Sequence, residues 1–430
     1  MIQRPIIVVT AALLLVLSPQ TRAQNQPTEK PKQVALRAAR LLDVKSGALI
    51  NNAVILIEGE RISMVGPSLP IPAGIKVIDL GDMTLLPGLI DCHTHLLASS
   101  ASDDYGAMLL TKSQAYRALE GASNARRTLW AGYTAVRDVE SEGAGYADVA
   151  LRDAVNRGLV EGPRMKVATR AIAIVGQYQP VGVSPDLPDF PHGAQTISGV
   201  EEARRAVREQ LGNGADLIKI YADWNYAAMT VEEISVIVEE AHKAGKMVAA
   251  HAISIEGIRN ALSGGVDSIE HGDRPDRAAL ELMKQKGVWW VPTLSRQLER
   301  VANEKDEEIR RRRIVRMETK YKMLQTARDM GVKIAAGADP ASERHHGANA
   351  QEIEAMTLAG LTNVEAIRAA TISGAELLGW QDRIGSLEAG KFADIIAVAG
   401  NPLSDIKELQ HVSFVMKGGR VIKDEHTSTK

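Results

Sequence analysis

Short apolar runs alternate with amphipathic helical patterns through the middle of the chain. Eight of these runs are rich in apolar or β-branched residues and have the length of a buried strand: Thr84–Asp91, Tyr133–Asp138, Met165–Ala171, Leu217–Tyr221, Met247–His251, Ser268–His271, Val288–Thr293 and Val332–Asp339. Capping boxes mark helix starts between some of them, as at Thr230 and Glu233. Strand–helix units repeated eight times predict an α/β protein with a closed (β/α)8 TIM barrel.

The two ends of the chain carry a different pattern. From Val34 to Val77, and again from Ile384 to Val421, short apolar runs alternate with turn residues, which is typical of small antiparallel strands. Each end is too small to bury a core alone, so we expect the two to pack together. The sequence therefore predicts a small β-sandwich domain built from residues 24–86 and 383–430, and a barrel over residues 87–382.

The first residues have the order of a secretory signal peptide. Arg4 precedes an apolar run from Ile6 to Leu17, and a small residue, Ala23, follows at a suitable cleavage distance. The run is shorter than the roughly 20 residues that a stable membrane span needs. A buried core helix is the alternative, but a polar stretch over residues 24–32 follows the run. We expect residues 1–23 to be removed, no stable membrane span, and a secreted or periplasmic protein.

Composition narrows the classes of partner and site. The 430 residues include 51 Lys plus Arg and 53 Asp plus Glu, so there is no basic excess to bind a phosphate backbone, and we expect no nucleic-acid partner. The single cysteine, Cys92, excludes an intrachain disulfide and a Cys-rich metal site. We expect Cys92 to be a buried structural thiol.

Histidine and aspartate stand where predicted strands end. His93 and His95 are two residues apart, so in a strand they point to the same side, where two imidazoles suit a divalent metal ion. The pair alone also fits an ordinary surface turn. His251, His271 and Asp339 close three later strands. Because the carboxyl ends of barrel strands form one mouth, these side chains are expected to converge there.

A lysine lies inside an apolar strand. Lys219 sits within Leu217–Ile220 and should be buried, which is costly for a cation unless it is paired or neutralised. A salt bridge to an acid at a strand end, or a Schiff base, would explain it. With four histidines and an aspartate at the same mouth, a third explanation is a carboxylated lysine that bridges two divalent ions.

Several polar residues are candidates for substrate contact. Tyr221 faces the same side as Lys219 and either donates a hydrogen bond to a substrate oxygen or packs in the barrel. Further candidates lie in the loops after the third and eighth strands: Tyr178, His192, Arg344, His345 and His346. These either bind a substrate carboxylate or are solvated surface groups. Arg310–Arg313 lies on a long charged helix and is expected to be a solvated face.

The strand-end segments resemble the amidohydrolase superfamily, in its branch similar to imidazolonepropionase-like hydrolases and prolidase-like dipeptidases. The resemblance covers nearly the whole mature chain and is carried by ordered motifs: Pro87–His95, Gly132–Asp138, Gly214–Ile220, Ala250–His251, Gly265–Gly272, Ala336–Asp339, His346–Gly347 followed by Glu352, and Gly385–Asp394. The chain departs from the family after the third strand, where relatives carry a Gly-Gly-His segment and this sequence has Ile174–Tyr178.

The resemblance implies a binuclear metal site, with zinc as the expected metal. The first ion would be held by His93, His95 and Asp339 and the second by His251 and His271. N6-carboxylysine at Lys219 would bridge the ions together with a hydroxide, and Asp339 would be the catalytic proton shuttle.

The implied activity is hydrolysis of an amide bond in dipeptides or N-acyl amino acids with a free α-carboxylate, by a prolidase-like or carboxypeptidase-like enzyme. An alternative substrate is a cyclic amide or a xenobiotic amide such as ochratoxin A, on which relatives in this branch act. A non-catalytic alternative is an exported protein that binds a metal or a solute. We expect a homo-oligomer that acts on a small molecule.

Overall fold

The computed structural model describes residues 32–98, 105–178, 184, 186 and 190–426. The predicted signal peptide, residues 1–23, lies outside these residues and stays a prediction. Within the described part, no helix combines the length and the apolar character that crossing a membrane requires.

Strands and helices follow one another along the described chain. The strands are β1 (Gln33–Asp43), β2 (Ala48–Glu58), β3 (Arg61–Pro67), β4 (Lys76–Asp79), β5 (Thr84–Pro87), β6 (Leu89–Thr94), β7 (Tyr133–Asp138), β8 (Arg164–Val167), β9 (Ile172–Ile174), β10 (Gln195–Ile197), β11 (Ile218–Tyr221), β12 (Val248–Ala252), β13 (Ser268–His271), β14 (Trp289–Val291), β15 (Lys333–Ile334), β16 (Ile395–Val398), β17 (Phe414–Lys417) and β18 (Arg420–Asp424). The helices are α1 (Tyr105–Thr111), α2 (Gln114–Trp130), α3 (Ala147–Asn156), α4 (Val200–Gly212), α5 (Val231–Lys243), α6 (Ile255–Gly264), α7 (Arg277–Lys286), α8 (Leu294–Ala302), α9 (Glu307–Met330), α10 (Gln351–Leu358), α11 (Asn363–Ala369) and α12 (Ile372–Leu377), with a 3₁₀ turn at Ile406–Gln410.

Both ends of the chain contribute strands to one mixed sheet. Its order is β18-β17-β16-β5-β1-β2-β3, and β4 pairs with β1. The edge strand β3 turns back toward the C-terminal segment, where the Ile62 N–H donates to the Lys391 carbonyl over 2.9 Å. Apolar side chains from both ends, including Leu36, Ile55, Leu85 and Phe414, form one buried cluster. The two chain ends therefore share one sheet and one core.

The middle of the chain forms parallel sheets. One has the order β10-β9-β11-β12-β13-β14-β15 and the other β6-β7-β8. Backbone hydrogen bonds join the two sheets at both edges of the three-stranded one: the Cys92 N–H donates to the Ala336 carbonyl over 2.9 Å, and the Asp216 N–H donates to the Val167 carbonyl over 2.8 Å. The predicted α/β class with parallel strands is confirmed.

The first predicted strand differs from the structure. Its beginning is β5, which pairs antiparallel with β16 in the mixed sheet, and only β6 belongs with the parallel strands. The chain changes sheets at Gly88, where a Cβ atom would overlap the Thr134 side chain. The apolar run is continuous because both strands are buried, and that continuity hides the boundary between them.

Two further sequence expectations are confirmed. The Thr230 side chain accepts a hydrogen bond from the Glu233 N–H, and the Glu233 carboxylate accepts one from the Thr230 N–H, so the capping box forms at the start of α5. Cys92 is a free thiol with no exposed surface, packed among apolar residues that include Ile90. Burial raises the pKa of this thiol, which keeps it protonated and unreactive.

Candidate active site

The polar residues at the strand ends lie around one cavity of about 740 Å³. Its inner wall carries side chains from the carboxyl ends of β6, β11, β12 and β13 and from the segment after β15: His93, His95, Lys219, His251, His271 and Asp339. The structure thus brings together every residue that the sequence predicted as a metal ligand. This convergence follows from the parallel pairing, because all these strands end at the same edge.

His93 is oriented by a buried carboxylate. Its Nδ1 lies 2.7 Å from Glu270 Oε2, and the other oxygen of Glu270 accepts a hydrogen bond of 2.7 Å from Arg137. Burial would raise the pKa of Glu270, but Arg137 and His93 hold it well below its usual value. The ionised carboxylate favours a proton on Nδ1 of His93 and leaves the Nε2 lone pair for a ligand in the cavity.

His95 lies between two carboxylates. Its Nδ1 is 2.9 Å from Glu142 Oε1, and its Nε2 is 3.3 Å from Asp339 Oδ1. The Nε2 atoms of His95 and His93 are 3.2 Å apart, so both imidazoles present the same nitrogen to the same space. Two nitrogens and a carboxylate oxygen at these distances are suited to one shared cation.

His271 and His251 present a second pair of rings, with centroids 4.6 Å apart. His271 Nδ1 lies 2.8 Å from Thr293 Oγ1, which leaves its Nε2 for the cavity. His251 Nε2 is buried without a hydrogen-bond partner in the described chain, and the nearest carboxylate oxygen, on Asp223, is 3.9 Å away. Burial lowers the pKa of both imidazoles well below the usual value, so both are neutral donors.

Asp339 lies close to one histidine from each of the two pairs. One donor atom from each of His93, His271 and Asp339 lies within 4.8 Å of the others. The Asp339 N–H donates to the His93 carbonyl over 2.9 Å, and its φ of 54° turns the side chain into the cavity. Beneath it, the Asp91 carboxylate accepts from the N–H groups of His93 and Ala338 over 3.0 and 3.1 Å. Asp91 therefore fixes the relative position of the two strand ends.

Lys219 is the unusual group of the inner wall. It is only 1% exposed, and no hydrogen bond or ion pair to its ammonium is found among the described residues. The salt bridge offered as one explanation from sequence is therefore not formed within them. Burial lowers the pKa of Lys219, which favours the neutral amine, the form that reacts with carbon dioxide.

The two predicted tyrosines lie on the cavity wall but their hydroxyls are engaged. The rings of Tyr178 and Tyr221 stack with centroids 4.1 Å apart, and Trp224 meets both edge-on. The Tyr178 hydroxyl donates to Glu142 over 2.7 Å, and the Tyr221 hydroxyl donates to Glu140. This aromatic surface offers a substrate flat apolar contact.

Of the loop residues predicted to contact the substrate, one lines the cavity and three do not. Arg344 lines the cavity, with its guanidinium 2.9 Å from Glu299. His345, His346 and His192 do not lie on the cavity wall. His345 is held by Ser342 Oγ at 2.6 Å, His346 by the Ala98 carbonyl at 3.0 Å, and His192 is exposed. Burial lowers the pKa of His346 to about 4, as expected of a neutral structural histidine.

The outer cavity wall is richer in arginine than the sequence suggested. Besides Arg344, it carries four arginines from α8 and α9, and we call these five residues the arginine wall: Arg296, Arg300, Arg313, Arg316 and Arg344. The run Arg310–Arg313 was expected to be a solvated face. Arg313 departs from this, because it lines the cavity and its guanidinium donates to the Arg300 carbonyl over 2.8 Å and lies 3.1 Å from Glu304.

Sequence reasoning missed the groups that position the histidines. Glu270, Arg137, Asp91 and Glu142 are all buried and charged, and three of them lie within or directly beside motifs already quoted. A charged residue within an apolar strand is the signal that could have identified Asp91, Arg137 and Glu270, as it did for Lys219, whereas Glu142 lies in the loop after β7 and has no such signal.

Known proteins resemble the chain over almost its full length. The model of the amidohydrolase family matches residues 84–422. Ochratoxinase of Aspergillus niger is 33% identical and aligns with 91% of this chain and 87% of its own length. Imidazolonepropionase of Micrococcus luteus is 23% identical, over 81% of this chain and 88% of its own. The crystal structure of a Xaa-Pro dipeptidase with methionine bound in the active site superposes with a TM-score of 0.82 and 33% identity, covering 91% of this chain and all of that one. The chain therefore belongs to the amidohydrolase family, in the branch that the strand-end motifs indicated.

Proposed function

We propose that this protein is a metal-dependent amidohydrolase that cleaves the amide bond of dipeptides or N-acyl amino acids. One observation carries the proposal: four imidazoles, a carboxylate and a buried lysine converge on a single cavity at the carboxyl ends of parallel strands. The family membership supports hydrolysis, and the donor set supports the metal.

The donor set fits two divalent ions, and zinc suits the imidazole ligands. His93, His95 and Asp339 would hold one ion, and His251 and His271 the other. The buried Nε2 of His251, which has no protein partner in the described chain, is accounted for by a metal. Lys219, buried without a hydrogen-bonded or ion-paired acid in the same part of the chain, would be accounted for by carboxylation, which would make it an anionic metal ligand.

Bound divalent ions would make water a nucleophile at neutral pH and polarise the amide carbonyl. Asp339, whose Oδ1 lies 3.3 Å from His95 Nε2, would accept the proton of the attacking water and pass it to the leaving nitrogen. Glu270 and Glu142 keep the rings of His93 and His95 in the orientation that metal binding would require. The stacked Tyr178 and Tyr221 would bind an apolar part of the substrate.

A second candidate substrate is a xenobiotic amide such as ochratoxin A, or a cyclic amide. The identity to ochratoxinase over 91% of the chain favours the former, and a cavity of about 740 Å³ has room for a ligand larger than a dipeptide. A solute-binding protein on the same fold is the non-enzymatic alternative. The proton-accepting position of Asp339 argues against it, because binding alone does not need such a group.

We further propose the finer architecture. The hydrogen bonds that join the parallel sheets at both edges support a closed (β/α)8 barrel over residues 87–382. The shared sheet of the two chain ends supports a composite β-sandwich domain from residues 24–86 and 383–430. Export directed by residues 1–23 and assembly into a homo-oligomer belong to the same proposal, the former supported by the signal-peptide pattern.

Turnover on a substrate panel tests the proposed activity. Zinc-loaded protein would be assayed on Xaa-Pro and Xaa-Phe dipeptides, N-acyl amino acids, ochratoxin A and a cyclic amide, with Asp339→Asn as the inactive control. We expect kcat/KM to be highest for a dipeptide or an N-acyl amino acid. Preference for ochratoxin A or a cyclic amide would replace the substrate assignment, and no turnover of any amide would favour a binding protein.

A further inference from the structure

The acidic residues of the outer cavity each have a basic partner already. Glu299 lies 2.5 Å from Arg296 and 2.9 Å from Arg344, and Glu304 lies 3.1 Å from Arg313. The third acid, Asp273, lies 2.9 Å from the ammonium of the buried Lys320.

Arg300 and Arg316 are the two members of the arginine wall that these pairs do not include. Among the described residues, Arg300 and Arg316 form no hydrogen bond or ion pair through their guanidinium groups. Burial raises the pKa of Asp273, but Lys320 and, more weakly, His251 and Arg316 hold it below its usual value. The outer wall therefore has more guanidinium groups than carboxylates to neutralise them.

Exposed arginines on helices are usually solvated surface groups. Arg300 and Arg316 differ from such groups in their position. Arg300 on α8 and Arg316 on α9 line the same cavity as His93 and Asp339. The neighbouring exposed Arg311 and Arg312 of α9 do not line it, and Arg312 pairs with Glu308. A cleft with one sign of charge attracts and orients a ligand of the opposite sign.

We infer that Arg300 and Arg316 bind a carboxylate of the substrate and so select anionic amides; this rests on the proposed function. A guanidinium matches a carboxylate with two parallel hydrogen bonds, which gives direction as well as attraction. The carboxylate is either the α-carboxylate of the amino acid or an acidic side chain. Arg344, predicted from sequence for this role, is already directed to Glu299.

Direct binding tests the inference without requiring turnover. Calorimetry on zinc-loaded protein would compare three ligands in which a CH2 group replaces the scissile amide N–H, so that none can be hydrolysed: the analogue of N-acetyl-phenylalanine with an α-carboxylate, its primary amide with none, and the α-amide of the N-acetyl-glutamic acid analogue with a side-chain carboxylate. The variants are Arg300→Gln, Arg316→Gln and the double substitution. Arg311→Gln is the matched control, because Arg311 is exposed on the same helix and away from the cavity.

We expect one of the two carboxylate ligands to bind wild-type protein at least tenfold more tightly than the neutral amide, and which one it is identifies the carboxylate. The double variant should lose that preference and Arg311→Gln should keep it. Equal binding of all three ligands to wild type, or a preference that survives the double substitution, overturns the inference. Because binding is read without hydrolysis, failure of the proposed activity would appear separately in the substrate panel.

Discussion

At the scale of single residues, the geometry of the candidate site depends on the groups behind the proposed metal ligands as much as on those ligands. The ring of His93 is fixed by Glu270, which is itself held by Arg137, and the ring of His271 is fixed by Thr293. That these histidines meet in one cavity could be predicted from sequence, because histidine at the end of an apolar strand is conspicuous. Their pairing with particular acids could not be predicted: a charged residue inside an apolar strand is a sign of burial, but it does not show which ring that residue will meet.

Replacing Glu270 by Gln tests this positioning role. The amide cannot balance the charge of Arg137 or hold the Nδ1–H of His93 as strongly, so metal affinity should fall by about 10- to 100-fold. Chelator competition measures the affinity, and thermal unfolding checks that the variant is folded. Glu281→Gln is the control, since Glu281 is an exposed partner of Arg277. Unchanged metal affinity in a folded Glu270→Gln protein would exclude the role.

Replacing Lys219 by Ala tests the bridging role. Metal content and activity should fall together, and formate or acetate should restore part of both by supplying the missing anionic ligand. Metal analysis and kcat/KM with and without added carboxylate measure the effect. Lys322→Ala, which removes an exposed lysine, should change neither quantity. Full metal content in Lys219→Ala protein would show that the lysine is not a ligand.

At the scale of secondary-structure elements, the end of β6 is positioned by the close approach at Gly88, where the chain crosses from one sheet to another. The chain leaves the mixed sheet at Gly88 and enters β6 directly, so that His93 and His95 reach the cavity. Periodicity predicted eight of the ten parallel strands in the described chain, because these lie in short runs rich in apolar residues. It missed the short strands β9 and β10 and the boundary at Gly88, because neither changes the hydrophobic pattern.

The Gly88→Ala substitution tests the passage. The new Cβ would overlap the Thr134 side chain, and forcing it into a packed core should cost about 1–3 kcal/mol of unfolding free energy. Adding Thr134→Ala should recover part of the loss. Chemical denaturation measures both. Gly212→Ala, at a position with open space, should not destabilise the protein; an equally small effect at Gly88 would contradict the tight passage.

At the scale of the whole molecule, the shared sheet of the chain ends and the parallel strands are joined by specific contacts. Arg164 on β8 binds Asp394 before β16 over 2.8 Å, and its guanidinium stacks 3.8 Å above the Phe392 ring. That the ends meet was predictable from their size. That their strands join edge to edge in a single sheet, with β16 paired to β5, was not, because strand order is set by long-range pairing that the local pattern does not encode.

Metal titration tests the central claim most directly. Protein freed of metal by a chelator would be given zinc in steps in the presence of bicarbonate, and kcat/KM on the best substrate of the panel would be followed. The account predicts no activity without metal and a rise that ends at two equivalents per chain, with His251→Ala binding fewer ions. Full activity in metal-free protein, or a plateau at one equivalent, would contradict the binuclear site.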